Sequence, residues 1–199
     1  MKRSFLTIIF LVTCIFTFAQ STKTIKCDSI YKDKGITIKL INFETEKDGY
    51  DGEKNSILII SQKLNGKNSV LVKDSIFSLV QEIRFIDYNN DNFKDILIQN
   101  ISDVRSNWTY NLYLYNPKAN NFKRVIDFDE IKNPRYNSKY NIIESYISSG
   151  EDWLLFYGLK KNRIFDYNVK IKDDHGKNFD KEYKKALKKL ISIQKSVRK

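Results

Sequence analysis

The residues best equipped for chemistry lie together in one run, Asp87-Tyr88-Asn89-Asn90-Asp91-Asn92-Phe93-Lys94-Asp95. Oxygen-bearing side chains fall at loop positions 1, 3, 5 and 9. Calcium is a hard cation that takes about six to eight oxygen ligands from a tightly coiled loop. Alternate residues of such a loop point inward, so Asp87, Asn89 and Asp91 can converge on one ion. Phe93 offers its main-chain carbonyl and leaves its ring free to pack, and Asp95 closes the shell directly or through water. The sharp turn at position 6 normally needs Gly; here it is Asn92, the residue that best tolerates left-handed backbone after Gly. The helix-loop-helix form of this motif has a bidentate Glu at position 12, where this chain has Ile98. The missing Gly and the missing carboxylate predict modest affinity. The competing reading is an Asn/Asp hairpin that uses its side chains only for local turn bonds; four correctly phased donors favour calcium. A second acidic stretch, Glu44, Glu46, Asp48, Asp51 and Glu53, reads as a solvated turn.

The elements that must hold this loop are strands. Ile36-Thr37-Ile38-Lys39-Leu40 alternates apolar and polar, the mark of a strand with one wet face. Residues 56–62 form a second strand, and Asn65-Gly66 marks a tight hairpin into Ser69-Val70-Leu71-Val72. Strands at 82–86 and 96–101 flank the acidic loop. Further strands follow at 108–115, 122–128, 142–148, 153–157 and 163–171, with a polar connection around Asn133-Pro134. The expected fold is mainly β: a single antiparallel meander or sandwich closed by an amphipathic C-terminal helix at 178–197. In that helix Phe179, Tyr183, Leu187 and Leu190 share one face, the lysines take the other, and Asp180 serves as N-cap. Residues 20–34 read as a polar leader, residues 35–199 as one domain, and no internal repeat is evident.

Residues 1–19 read as a secretion signal. Lys2 and Arg3 precede an apolar stretch from Phe5 to Phe18, and Ala19 offers a cleavage point before Gln20. The rival is a lipoprotein signal with Cys14 as the lipidated residue, against which Thr13 is bulky and apolar residues continue past the cysteine. Removing the signal leaves about 180 residues, enough for one domain with a real core, in a periplasmic or extracellular setting. Cys27 is then the only cysteine, so no internal disulfide forms. It reads as a free thiol in a flexible leader, with lipidation there a poor match. The net charge is +11, of which Lys2 and Arg3 contribute two, leaving +9 for the rest. Excess positive charge suits nucleic acid, anionic lipid or an acidic partner; an exported chain seldom meets nucleic acid, the charge alone does not choose a partner, and peripheral lipid contact would run through the lysine-rich C-terminal helix.

Catalytic machinery is missing from the sequence. His175, the only histidine, sits in a polar link and reads as an exposed turn residue. There is no activated serine motif, zinc-ligand spacing or Gly-rich phosphate loop, so the chain is not expected to be an enzyme. The aromatic run Trp108, Tyr110, Tyr113 and Tyr115 places the first pair on one strand face and the second pair on the other. It is either sheet packing or a surface that binds a protein partner.

The stretch 83–167 resembles a wider family. Phe85-Ile86-Asp87, the Asp/Asn loop, Asp95-Ile96-Leu97-Ile98 and the Asn-Trp-x-Tyr-x-x-Tyr-x-Tyr strand at 107–115 together are similar to exported β proteins with FG-GAP-like Asp-x-Asn-x-Asp loops. These include periplasmic lysozyme-inhibitor-like immunity proteins of type IV secretion effectors. The match covers less than half the chain, only its loop is specific, and Asn92 departs from the family's Gly. The resemblance implies calcium at the loop, a binding module rather than an enzyme, and inhibition of a cell-wall hydrolase. The alternative is a structural or surface-adhesion module that binds glycan or anionic lipid.

Overall fold

A computed structural model describes residues 20–43, 54–176 and 178–197. The signal at 1–19 and the acidic turn at 44–53 lie outside the described residues. Among the described residues the chain makes three four-stranded antiparallel sheets, each a meander whose strand order follows chain order. The first holds β1 (Gln20–Lys26), β2 (Ile36–Phe43), β3 (Ser56–Leu64) and β4 (Lys67–Ile76). The second holds β5 (Ile83–Ile86), β6 (Asp95–Ser102), β7 (Trp108–Asn116) and β8 (Asn121–Arg124), and a short 3-10 helix, Phe128–Glu130, follows it. The third holds β9 (Pro134–Asn137), β10 (Ile142–Ser148), β11 (Asp152–Lys160) and β12 (Arg163–Asp173), and α1 (Phe179–Val197) ends the chain. The architecture is thus mainly β with one C-terminal helix, and the unit that recurs is a four-strand meander with no matching sequence repeat.

The sheets stack in layers. Ile36, Ile38 and Leu40 of β2 and Leu58 and Ile60 of β3 meet Ile96 and Ile98 of β6 and Tyr113 and Tyr115 of β7. On the opposite face of the middle sheet, Leu97, Tyr110 and Leu112 pack with Phe128, Ile131 and Ile143 toward the third sheet. The middle sheet is therefore covered on both faces. That is why β6 begins as an unbroken buried run, Asp95 to Gln99, whereas β2 alternates. The third sheet's outer face, with Ile142, Leu154, Phe156, Val169 and Ile171, is closed by Ala186, Leu187 and Leu190 of α1. Burying each large aliphatic side chain in these cores contributes about 1.5–3 kcal/mol. At the Asn65-Gly66 hairpin both residues have positive φ, 49° and 75°, the geometry that matches the strand twist.

Several expectations need correction. The polar leader at 20–34 is a strand and a turn: β1 pairs along the whole of β2, from Gln20↔Phe43 to Lys26↔Thr37. Residues 21–24 and Lys26 are exposed and only Ile25 leans on the first core, so the segment carries no apolar alternation; main-chain pairing with β2 does most to hold this lysine-bearing edge strand. Cys27 is wholly buried rather than free in a leader, and Tyr31 is buried beside it. The polar link near Asn133-Pro134 contains β9, a short edge strand opened by proline. The strand expected at 122–128 stops at Arg124, because Asp127 turns left-handed (φ 65°) and drives Phe128 into the second core. Asp180 lies in the first turn of α1, which begins one residue earlier at Phe179. Finally, the apolar side of α1 is already docked, so only its exposed lysines are free to meet a lipid surface.

Candidate metal centre

The loop at 87–95 links β5 to β6 as a hairpin of the middle sheet. Its shape follows from its Asp and Asn residues. Asp87 turns its carboxylate into the loop, where Oδ1 accepts the N–H groups of Asn89 (3.2 Å), Asn90 (2.7 Å) and Asp91 (3.3 Å) and Oδ2 that of Asn92 (2.9 Å). Asn89 Oδ1 accepts the Asp91 N–H at 3.2 Å, and Asp91 Oδ1 accepts the Phe93 N–H at 2.9 Å. Asn90 and Asn92 both adopt left-handed backbone, at φ 60° and 68°. Asn92 thus takes the geometry expected of the residue in the glycine position.

Side chains 1, 3 and 5 come together. Asn89 Nδ2 stands 2.9 Å from Asp91 Oδ2, and the Asp91 N–H reaches Asp87 Oδ1. Asp95 behaves differently. Its carboxylate is fully buried, with Oδ2 accepting the Tyr88 N–H at 2.8 Å and Oδ1 the Tyr115 N–H at 2.9 Å. It braces β6 against the loop and β7. Burial pushes this carboxyl up to about 7 against the pull of the two N–H bonds, and the charges of Asp91 and Asp87 push the same way. Among the described residues no cation pairs with Asp87, Asp91 or Asp95.

The loop is anchored at both ends. Tyr31 donates its hydroxyl to the Lys94 carbonyl at 2.8 Å, tying the loop to the first sheet, and buried Tyr88 donates to the Pro134 carbonyl at 3.1 Å, tying it to the third. The Phe93 ring is 43% exposed and meets the Tyr115 ring edge-on at 6.1 Å. Ile98, at position 12, is wholly buried in the first core and offers no donor.

These residues suit a hard cation in kind, since every donor is oxygen. Among the described residues, no group of three or more His, Cys, Asp or Glu side chains gathers as a metal cage. A calcium ion here would rest on Asp87, Asp91, the Asn89 amide oxygen and the Phe93 carbonyl, with Asp95 as an inner brace that keeps one lone pair on each oxygen.

The aromatic run takes the sheet-packing reading for its tyrosines. Tyr110, Tyr113 and Tyr115 are nearly or fully buried, and Trp108 is half-buried against the second core. The split into two faces is as expected, with Tyr110 toward the third sheet and Tyr113 and Tyr115 toward the first, so the three tyrosines pack mainly in the cores and Trp108 stays half-exposed. Sequence reasoning missed Tyr31 as the loop's anchor, because a residue far upstream carries no local mark of its tertiary partner. His175 is exposed, and its Nε2 stands 3.1 Å from Asp152 Oδ2. Asp152 and Asp173 face each other across the β11–β12 register, and the Tyr146 hydroxyl reaches both at 3.1 Å. This set answers like charges placed opposite each other. No family model matches the chain, and no curated protein or solved structure shows significant similarity to it.

Proposed function

We propose that this chain is an exported β module that binds calcium at its 87–95 loop and works by binding another protein, as an inhibitor of a cell-wall hydrolase would. The observation that carries the metal half is that Asp87, Asn89 and Asp91 share one turn whose carboxylates meet no cation among the described residues. A divalent ion would supply that positive charge and stiffen the loop. The partner half rests on the sequence resemblance, and the reading assigns the chain no catalysis.

The metal half is tested by melting the protein in calcium and in a chelator. Calcium should raise the melting temperature, and Asp87→Ala or Asp91→Ala should remove the rise. An unchanged temperature at millimolar calcium would remove the site. For the inhibitor half, the protein used as bait in envelope extract should recover a wall hydrolase and slow its turnover. Recovery of unrelated proteins would set that version aside.

A further inference from the structure

Beside the loop lies a groove of about 500 Å³. Asn89, Asp91 and Phe93 form one side, and Leu114 and Tyr115 lie along it. Lys118, Lys123 and Lys161 line the rest of it. All three lysines are exposed, and among the described residues none makes an ion pair. They come from three separate segments: the β7–β8 turn, β8 itself and the tip of the β11–β12 hairpin.

Both lysine-bearing turns are held in place. Asn116 Oδ1 accepts the N–H groups of Lys118 and Ala119, each at 3.0 Å, and so fixes the β7–β8 turn. The β11–β12 tip is tied to the segment that follows β8: the Asn162 carbonyl accepts the Ile126 N–H at 2.8 Å, and the Ile126 carbonyl accepts the Ile164 N–H at 3.2 Å. A ligand entering the groove meets walls already in position, which lowers the ordering cost of binding.

From this geometry we infer that the groove is the docking site for an acidic stretch of a partner protein. Three lysines that make no ion pair among the described residues outnumber Asp91, the one acid of the lining, and form a cationic rim; the exposed Phe93 ring with Pro117 gives it an apolar lip. An apolar contact inside a charged rim is the anatomy of a protein interface. Lysine is a compact point charge, so the rim selects density of carboxylates rather than bidentate geometry. A concave site also favours a chain segment that can enter it over a flat bilayer. One element of this inference rests on the calcium reading. Without an ion, Asp91 repels an acidic ligand; with one, that wall is neutralised. Calcium and ligand then strengthen each other's binding, by reciprocal linkage.

The test uses the chain from residue 20 onward and a labelled peptide, Glu-Glu-Leu-Glu-Glu, followed by fluorescence anisotropy at low ionic strength with calcium or chelator. The peptide should bind, more tightly with calcium. Lys118→Glu, Lys123→Glu and Lys161→Glu together should weaken it by about tenfold or more. Lys181→Glu, Lys184→Glu and Lys188→Glu on α1 change net charge by the same amount and should leave it nearly unaltered. Circular dichroism checks that both variants fold, and Lys161→Glu alone serves if the triple variant does not. Equal weakening by the two sets, no binding of the peptide, or stronger capture by phosphatidylglycerol vesicles through the α1 lysines would each overturn the docking site. Groove-dependent binding that ignores calcium keeps the site and removes the coupling. A calcium-dependent rise in melting temperature without groove-dependent binding keeps the metal reading and discards the groove.

Discussion

Strand β6 has an aspartate-centred turn at each end, and the two are balanced differently. At its exit, Asp103 accepts the N–H groups of Arg105 (2.9 Å) and Asn107 (3.0 Å) and both of its oxygens accept the Asn107 amide. A cation completes the set, with Lys132 Nζ 2.9 Å from Oδ2. The bonds from Asn107 and Lys132 hold this carboxyl well below the usual range. At its entrance, Asp87 also gathers main-chain N–H groups, but among the described residues no cation pairs with Asp87, Asp91 or Asp95, and burial pushes the Asp95 carboxyl up. The same local chemistry makes both turns. What separates them is whether the fold delivers a lysine from another segment. Lys132 closes the exit turn, and the entrance turn has no such partner among the described residues.

The largest effect expected on this contrast comes from Asp95→Ala. It leaves the Tyr88 and Tyr115 N–H groups buried without an acceptor, so urea unfolding should show a loss of about 3 kcal/mol. A loss no greater than that of Asp103→Ala would deny Asp95 its bracing role. Calcium comes next. At about a hundredfold above its dissociation constant it should stabilise the protein by about 2.7 kcal/mol, a rise of about 5–10 °C in melting temperature for a domain of this size. Asp87→Ala should abolish that rise and Asp103→Ala should preserve it. If both variants respond alike, the two turns do not differ in the way described.

Acid acts on the two turns with opposite sign: the raised Asp95 carboxyl favours the folded state as pH falls from about 7 toward 4, and Asp103 acts below that. The folded carboxyl of Asp103 is depressed relative to the unfolded chain, so its contribution is present above the unfolded value near pH 4 and is lost as pH falls toward the folded one. Asp103→Asn should flatten the acid side of the stability profile in calcium-free buffer; a profile matching the parent's would count against the Lys132 pair. The smallest effects lie in the loop's supports. Tyr31→Phe removes one hydrogen bond to the Lys94 carbonyl and should cost about 1 kcal/mol, with calcium affinity falling alongside. Asn92→Gly relieves the left-handed backbone and should strengthen both stability and calcium response by less than about 1 kcal/mol. A loss on Asn92→Gly would show that the asparagine side chain contributes more than its tolerance of that geometry.

Residue order alone determined most of the strands, the Asn65-Gly66 hairpin, the apolar face of α1 and the coiled form of the 87–95 loop. Each rests on periodicity or on hydrogen bonds between residues a few positions apart, which a single sequence displays. It also assigned Tyr110 and Tyr113 to opposite strand faces, because side-chain direction alternates along a strand. Tertiary structure decided what those faces meet. The middle sheet is covered on both sides, so the tyrosines are core, and β1 is a strand only because β2 lies beside it. Likewise Lys132 reaches Asp103, Tyr31 reaches Lys94, and three lysines from separate segments ring one groove. Contacts between distant segments depend on how the sheets stack, and no pattern within one stretch of chain records them.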